Sequence, residues 1–273
     1  MPQGSEIDRR ITVGLDLMRS QILPFHNSFG AVESEWKSDA SRVTETDRII
    51  SDSIMSGIAR EFSEDDCCSE ELDLDSPKPL VSRFCWILDP VDGTNNFAIG
   101  MPNCAISLAL LENGMPVYGW VYDFAGRQLI HGGAGRGIFV GDQQVERRVA
   151  DLGEQTPIGI QFPLSKGILE KLLSVLNRER VRSLGSSTME GVYVALGHLK
   201  GAVDFKVKVW DIAAFVAFFR EFDVPYRFLR DPAFPLQLFD LKARSTPFVA
   251  GSNDFCEEIE ALLSSSENSS LQE

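Results

Sequence analysis

Apolar residues at Ile7, Ile11, Leu15, Met18 and Ile22 recur at spacings of three and four, which predicts an amphipathic helix over 7–23 that Pro24 stops. A second helix is predicted from about Glu45 to Phe62, with Ile50, Ile54 and Ile58 on one face, and the polar KSDASRVT (37–44) leads into it. An acidic piece, EDDCCSEELDLDS (64–76), precedes the strand FCWILD (84–89). From about 104 to 150 the texture changes to short β segments, CAISLALLE, VYGWVYD, QLIHGG and GIFV, with Asn113-Gly114 and Gly141-Asp142 as hairpin turns. Beyond about 155 strand and helix alternate: PIGIQF, a helix near 167–178, VRSLG, a helix near 188–197, AVDFKV, and a helix from 211. Mixed strands followed by βα alternation predict α/β layers, with an N-terminal α+β half over 1–150 and a C-terminal α/β half over 151–273. The tail SSSENSS is low-complexity and is expected to fray.

Composition narrows the functional classes. The 273 residues are 44% hydrophobic, enough to bury a full core. Forty acidic against 26 basic residues leave a net charge of −14, which argues against nucleic acid and anionic membranes as partners. An acidic chain still binds an anionic ligand where bound cations invert the local sign. Cys67, Cys68, Cys85, Cys104 and Cys256 are odd in number and lack CxxC spacing, against a disulfide framework or a zinc knot. His26, His131 and His198 are too scattered to suggest a zinc site or a Ser-His-Asp triad. The start lacks an apolar signal core and no run is long enough to span a membrane, so a soluble, cytoplasmic protein is expected.

The chemistry concentrates in WILDPVDGTNNF (86–97). Asp89 and Asp92 bring like charges together, and one pKa should rise unless a cation sits between them. A hard cation such as Mg2+ takes oxygen ligands, which these carboxylates and a main-chain carbonyl supply. Gly93 and Thr94 offer successive backbone N–H groups at the start of a short helix, an anion-binding arrangement. Taken alone, the stretch reads equally well as a strand ending in an Asp-Gly turn. Asp211 opens the apolar helix IAAFVAFFREF, where an N-cap role stabilises by about 1 kcal/mol, although a carboxylate has two oxygens and can also be a ligand. Thr44 and Asp47 resemble a capping box, and Ser69-Glu70-Glu71 lies in a charge run of the kind that is usually solvated.

In this order, VTETD (43–47), SEE (69–71), WILDPVDGTNNF and WDIAA (210–214) resemble the signature set of the inositol monophosphatase family. The resemblance runs from about Lys37 to VAGSNDFCEEIEALL (249–263). It implies a layered αβαβα sandwich, a homodimer, and a Mg2+-dependent, Li+-sensitive phosphatase of small phosphorylated metabolites. Mn2+ would substitute for Mg2+, while Ca2+ and Li+ would inhibit. By matched position, Glu70, Asp89, the carbonyl of Val91, Asp92 and Asp211 would hold two or three Mg2+ ions, with Glu71 as the alternative to Glu70. Thr94 with Asp47 would orient the attacking water, whose proton Glu70 or the Asp47-Thr94 pair would hold. The phosphate would meet Gly93 and Thr94 beside Asp92 and Asp211. Four acids from three distant segments would repel one another if they converged empty, which agrees with that carry-over.

The chain departs from the family pattern at several points. Ser69 stands where the family has glycine, and Phe222-Asp223-Val224 replaces a glycine-rich exit from the helix after Asp211. Asp204 stands where a glutamate contacts sugar hydroxyls, so it would face a polyol or simply be a solvated strand-end acid. Lys206 and Lys208 alternate along the strand of Asp204 and could meet a second phosphate or pair with the acids. Ser186 and Ser187 fall where the family contacts substrate. GGAGRG (132–137) lacks the order of a nucleotide loop and reads as a turn between β segments, and Cys67-Cys68 reads as a bystander pair. The expected substrate is inositol 1-phosphate or a similar polyol phosphate. Fructose 1,6-bisphosphate, 3′-phosphoadenosine 5′-phosphate and histidinol phosphate are the alternatives. A catalytically weak, metal-dependent binding relative is the reading outside enzymes.

Overall fold

The computed structural model describes residues 3–31, 34–36, 42–74, 76–148 and 155–264. The expected boundary near 150, most of KSDASRVT and the tail after 264 lie outside them. In chain order the elements are α1 (Gln3–Ser28), β1 (Ser34–Trp36), β2 (Arg42–Thr44), α2 (Glu45–Glu61), β3 (Asp66–Ser69), β4 (Lys78–Pro79), β5 (Phe84–Asp92) and α3 (Thr94–Ile99). A meander follows: β6 (Ala105–Glu112), β7 (Met115–Asp123), β8 (Gln128–Gly133), β9 (Gly137–Val140) and β10 (Gln143–Val145). The remainder is β11 (Ile158–Ile160), α4 (Lys166–Arg178), β12 (Val181–Arg182), α5 (Ser187–Leu196), β13 (Gly201–Asp204), α6 (Val209–Glu221), β14 (Tyr226–Phe228), β15 (Leu238–Phe239), β16 (Phe248–Gly251) and α7 (Asn253–Ser264).

Five layers result. A seven-stranded sheet, ordered β10-β9-β8-β7-β6-β5-β3, is antiparallel except where β3 runs parallel to β5. A five-stranded sheet, β12-β11-β13-β16-β14, forms the second β layer. Helices α1 and α2 cover one face of the first sheet, α5 and α6 fill the space between the sheets, and α4 and α7 close the outer face of the second. This is the αβαβα sandwich that the family resemblance implies. No described helix is long and apolar enough to cross a membrane.

The apolar run of β5 has a direct reason: all nine of its residues are buried, because helices pack on both faces of the sheet. Trp86 and Leu88 point toward α1 and α2, while Cys85 and Ile87 point toward the central helices. Helix α6 is apolar on every side for the same reason, with each residue from Ile212 to Phe219 buried in the central layer. Both hairpin turns form as expected. Asn113 and Gly114 take φ of 50° and 78° between β6 and β7, and Gly141 takes 61° between β9 and β10.

Three local expectations are corrected or sharpened. Pro24 does not stop the first helix, which continues to Ser28. A proline inside a helix costs about 3 kcal/mol or more. Here the last turn is held by Phe25, which is fully buried, stacks on Phe97 at 4.9 Å and meets Phe124 edge-on at 5.4 Å. His26 adds a 2.7 Å hydrogen bond to the Tyr122 hydroxyl. The exit from α6 is indeed built without glycine: Asp223 takes the left-handed conformation at φ 49°, and Val224 N–H reaches back to the Phe219 carbonyl at 2.9 Å. The glycine-rich 132–137 segment is the β8–β9 turn, and its Gly135 and Gly137 N–H groups donate to the Glu221 carboxylate at 2.6 and 3.1 Å. Phe25→Ala is therefore expected to destabilise the fold by about 3–5 kcal/mol in urea unfolding, beyond what an ordinary surface change causes.

Candidate metal centre

The centre is built where β5 loses its regular pairing. Its register on β6 shifts between Asp89 and Asp92, and Pro90 in the gap has no N–H to contribute to a ladder. Val91 N–H folds back onto Asp89 Oδ1 at 3.0 Å. Asp211 arrives from the start of α6. Lys208 is the cap residue and Asp211 the third helical position, a correction to the expected N-cap, and the Asp211 carboxylate accepts the Lys208 N–H at 2.6 Å. Asp89, Asp92 and Asp211 each present one carboxylate oxygen, and these three oxygens lie within 4.8 Å of one another.

Glu70 follows the end of β3, where its N–H pairs with the Leu88 carbonyl at 3.2 Å, next to Asp89. Its charge acts on Asp89, Asp92 and Asp211 as well as on Asp47, whereas of these four the charge of Glu71 acts on Asp47. Glu70 is thus the better placed of the two glutamates. Ser69, the departure from glycine, is fully buried and shares a 2.8 Å hydrogen bond with the Ser51 hydroxyl of α2, while its oxygen accepts the Glu71 N–H at 3.3 Å. The hydroxyl pins the turn that carries Glu70.

Asp47 is the third residue of α2, and the Thr44 N–H and hydroxyl both donate to its Oδ2. Its Oδ1 lies 3.4 Å from the Thr94 hydroxyl, which is closer to the Val91 carbonyl at 2.8 Å. Gly93 has φ 81°, and a Cβ there would sit 2.8 Å from the Asn103 carbonyl and 3.0 Å from that of Gly185, so only glycine fits this corner. The far half reaches Asp92 as well. Ser186 donates its hydroxyl to Asp92 Oδ2, and Thr188 N–H donates to the same oxygen at 3.0 Å. Ser187 donates to Asp204 Oδ2 at 2.7 Å, and the Lys206 N–H donates to Oδ1 at 2.9 Å. Strand β13 ends at Asp204, so Lys206 and Lys208 do not alternate along it. Lys206 is exposed beside Asp204, and Lys208 turns its amino group to the Ala243 carbonyl.

Burial is the largest influence on Asp47, Asp89, Asp92, Asp204 and Asp211. It pushes Asp89 well above the usual carboxylate range, with the charges of Glu70, Asp92 and Asp211 adding to it. Asp211 rises in the same way from burial and then Asp92. Asp92 is pushed up to about 7, held back by its bonds to Ser186 and Thr188. Burial also pushes Asp47 to about 7 against the pull of Thr44. The donor set is all oxygen and anionic, with Asp89 and Asp92 buried and Asp211 and Glu70 half-buried, which fits a hard divalent cation.

Sequence reasoning did not single out Ser51, Asn96, Gln161, Thr188 or Glu190. Thr188 stands two residues after the helix-capping Ser186, which marks a helix start but gives no sign that the Thr188 N–H faces Asp92.

The model of the inositol monophosphatase family matches residues 12–222. The chain belongs to the inositol monophosphatase family. A relative from Thermotoga maritima, fructose-1,6-bisphosphatase/inositol-1-monophosphatase, is 30% identical over 211 residues, covering 75% of this chain and 79% of that protein. The Nus factor SuhB of Pasteurella multocida is 28% identical over 191 residues, covering 67% and 70%. In fold, the chain resembles an IMPase/NADP phosphatase solved with Mg2+ and phosphate, with a TM-score of 0.79 at 22% identity and 97% of each chain covered. Membership of the inositol monophosphatase family makes the chain a phosphoric monoester hydrolase.

The raised carboxyls give a signed pH dependence. Unfolded aspartates titrate near 4, whereas in the folded chain Asp47 and Asp92 are pushed up to about 7 and Asp89 and Asp211 well above the usual carboxylate range, so the folded chain binds more protons than the unfolded one between about pH 4 and 7. Without divalent cations, stability is expected to be highest at acid pH and to fall as pH rises through about 7. Melting temperatures between pH 5 and 8, with chelator and then with Mg2+, check this: Mg2+ should recover several degrees at pH 8 and little at pH 5.

Proposed function

We propose that this chain hydrolyses a small phosphate monoester in a Mg2+-dependent reaction, with inositol 1-phosphate or a similar polyol phosphate as substrate. The observation that carries the reading is the meeting of Asp89, Asp92 and Asp211 within 4.8 Å, from segments far apart in sequence, beside the Gly93-Thr94 corner. Asp89, Asp92, Asp211, Glu70 and the Val91 carbonyl would hold two or three Mg2+ ions. When bound, such ions lower the pKa of water and neutralise charge on a phosphoryl group.

The chain's own residues supply the rest. Asp47, with its carboxyl pushed to about 7, is tuned to accept a proton at neutral pH. The Thr94 hydroxyl lies between Val91 O and Asp47 Oδ1, so turning its proton to Asp47 would leave the Val91 carbonyl to a cation, while the hydroxyl oxygen accepts a hydrogen bond from water. The first N–H groups of α3 have no partner within the helix and would receive phosphate oxygens. Asp204, held by Ser187 and the Lys206 N–H, would accept hydrogen bonds from hydroxyls of the alcohol part.

Fructose 1,6-bisphosphate is the second reading. The Thermotoga relative carries both activities in its name, and the exposed Lys206 beside Asp204 suits a second phosphate. Assays of inositol 1-phosphate, fructose 1,6-bisphosphate, histidinol phosphate and 3′-phosphoadenosine 5′-phosphate with Mg2+ rank the substrates, and added Li+ is expected to inhibit. Asp89→Asn, Asp92→Asn and Asp211→Asn are each expected to lower Mg2+-dependent phosphate release by about 10³-fold or more with the fold intact by circular dichroism. Wild-type turnover in these variants would sink the proposal.

A further inference from the structure

The turn Ser183-Leu184-Gly185-Ser186 carries the hydroxyl that bonds Asp92 and leads into Ser187, which bonds Asp204. It lies between the end of β12 at Arg182 and the start of α5 at Ser187, so no strand ladder or helix fixes it. Side chains from three other places hold its backbone instead. Asn96 of α3 donates to the Leu184 carbonyl at 2.7 Å. Gln161, one residue past β11, accepts the Gly185 N–H at 3.1 Å and the Ser183 hydroxyl at 3.3 Å. Glu190 of α5 accepts the Leu184 N–H at 3.2 Å. Leu184 is thereby fixed at both its N–H and its carbonyl.

Glu190 is the unusual member. It is 1% exposed, and its Oε2 has no hydrogen-bond partner among the described residues. Its carboxyl packs against the backbone of β11, where a Cβ on Gly159 would stand 3.1 Å from Cδ and Oε2. An ionised carboxylate left half-paired at this depth carries a large desolvation cost. Burial, and after it the charge of Asp204, pushes the carboxyl well above the usual range, which favours the neutral acid. A neutral acid keeps a carbonyl oxygen for Leu184 without adding charge beside Asp92 and Asp204.

We propose that Glu190 is a positioning residue for the phosphatase site: its side-chain carbonyl, through the Leu184 N–H, holds the turn that sets Ser186 on Asp92 and Ser187 on Asp204. The importance of that turn for turnover rests on the phosphatase reading given above. Two substitutions of matched length separate the possibilities. Glu190→Gln keeps the carbonyl acceptor, and Glu190→Met removes it.

Amide exchange of the peptide containing Leu184 is measured in the full chain without metal or substrate, and kcat and KM are measured with Mg2+. Glu190→Gln is expected to stay within about twofold of wild type in both. Glu190→Met is expected to speed exchange at Leu184 about tenfold and to lower kcat/KM about tenfold. Wild-type exchange in Glu190→Met overturns the proposal, as does a Glu190→Gln variant as impaired as Glu190→Met. Should Glu190→Met fail to fold, Gly159→Ala, which presses a methyl onto Glu190 Cδ, is expected to raise Leu184 exchange, and unchanged exchange there overturns it. Absence of Mg2+-dependent release in the wild type fails the phosphatase reading alone, because the metal-free exchange still decides whether Glu190 holds the turn.

Discussion

Mutual repulsion among buried carboxylates is the constraint around which the molecule is arranged. Asp89 and Asp92 end a strand whose nine residues are all buried, and Asp211 stands at the start of a helix buried on every side. Neither element can slide outward to relieve the charge without breaking its packing. The acids are therefore held together by the hydrophobic core, and only protons or cations can reconcile them with one another. With the acids fixed by core packing in this way, a bound divalent cation would relieve their repulsion without any movement of the elements that carry them.

The same constraint explains why the two sheets are tied by polar bonds as well as by apolar contacts. Ser186 and Thr188, from the five-stranded half, donate to Asp92 of the seven-stranded half, and Thr188 also donates its hydroxyl to the Asp211 carbonyl at 2.9 Å. Asn96 returns the connection by donating to the Leu184 and Asn103 carbonyls at 2.7 and 2.8 Å. Each of these donors is neutral. They hold the carboxylates in place and leave the charge for a cation to balance. Lysine or arginine in their positions would pair with the acids directly and compete with any cation bound there.

The elements were legible in the sequence where a single period dominates. Ile50, Ile54 and Ile58 mark α2, and the continuous run of β5 marks a strand buried on both faces. Pro24 misled because a local rule was overridden by the tertiary burial of Phe25 against Phe97 and Phe124, which no pattern near residue 24 announces. The acids of the centre could be listed from motif order, yet their roles depend on distances between segments. Asp211 taken alone read as a cap because a helix start is visible in sequence, whereas the meeting of its carboxylate with Asp89 and Asp92 is a tertiary fact. Thr188 and Glu190 were invisible for the same reason, since a threonine and a glutamate in the first turn of a helix are ordinary surface residues until a second sheet covers them.

Two places where the family resemblance leads one to expect glycine show how a backbone turn can be held by other means. Asp223 takes the left-handed conformation itself, which aspartate tolerates better than most residues, and the Val224 N–H closes the helix end. Ser69 follows another route: its hydroxyl fastens the Glu70 turn to Ser51 on α2, so side-chain bonding does the work that backbone freedom does elsewhere. The second solution makes the placement of Glu70 depend on α2, the helix that also carries Asp47. In this chain the turn that carries the glutamate beside the aspartates, and the acid beside Thr94, are thus both anchored on α2.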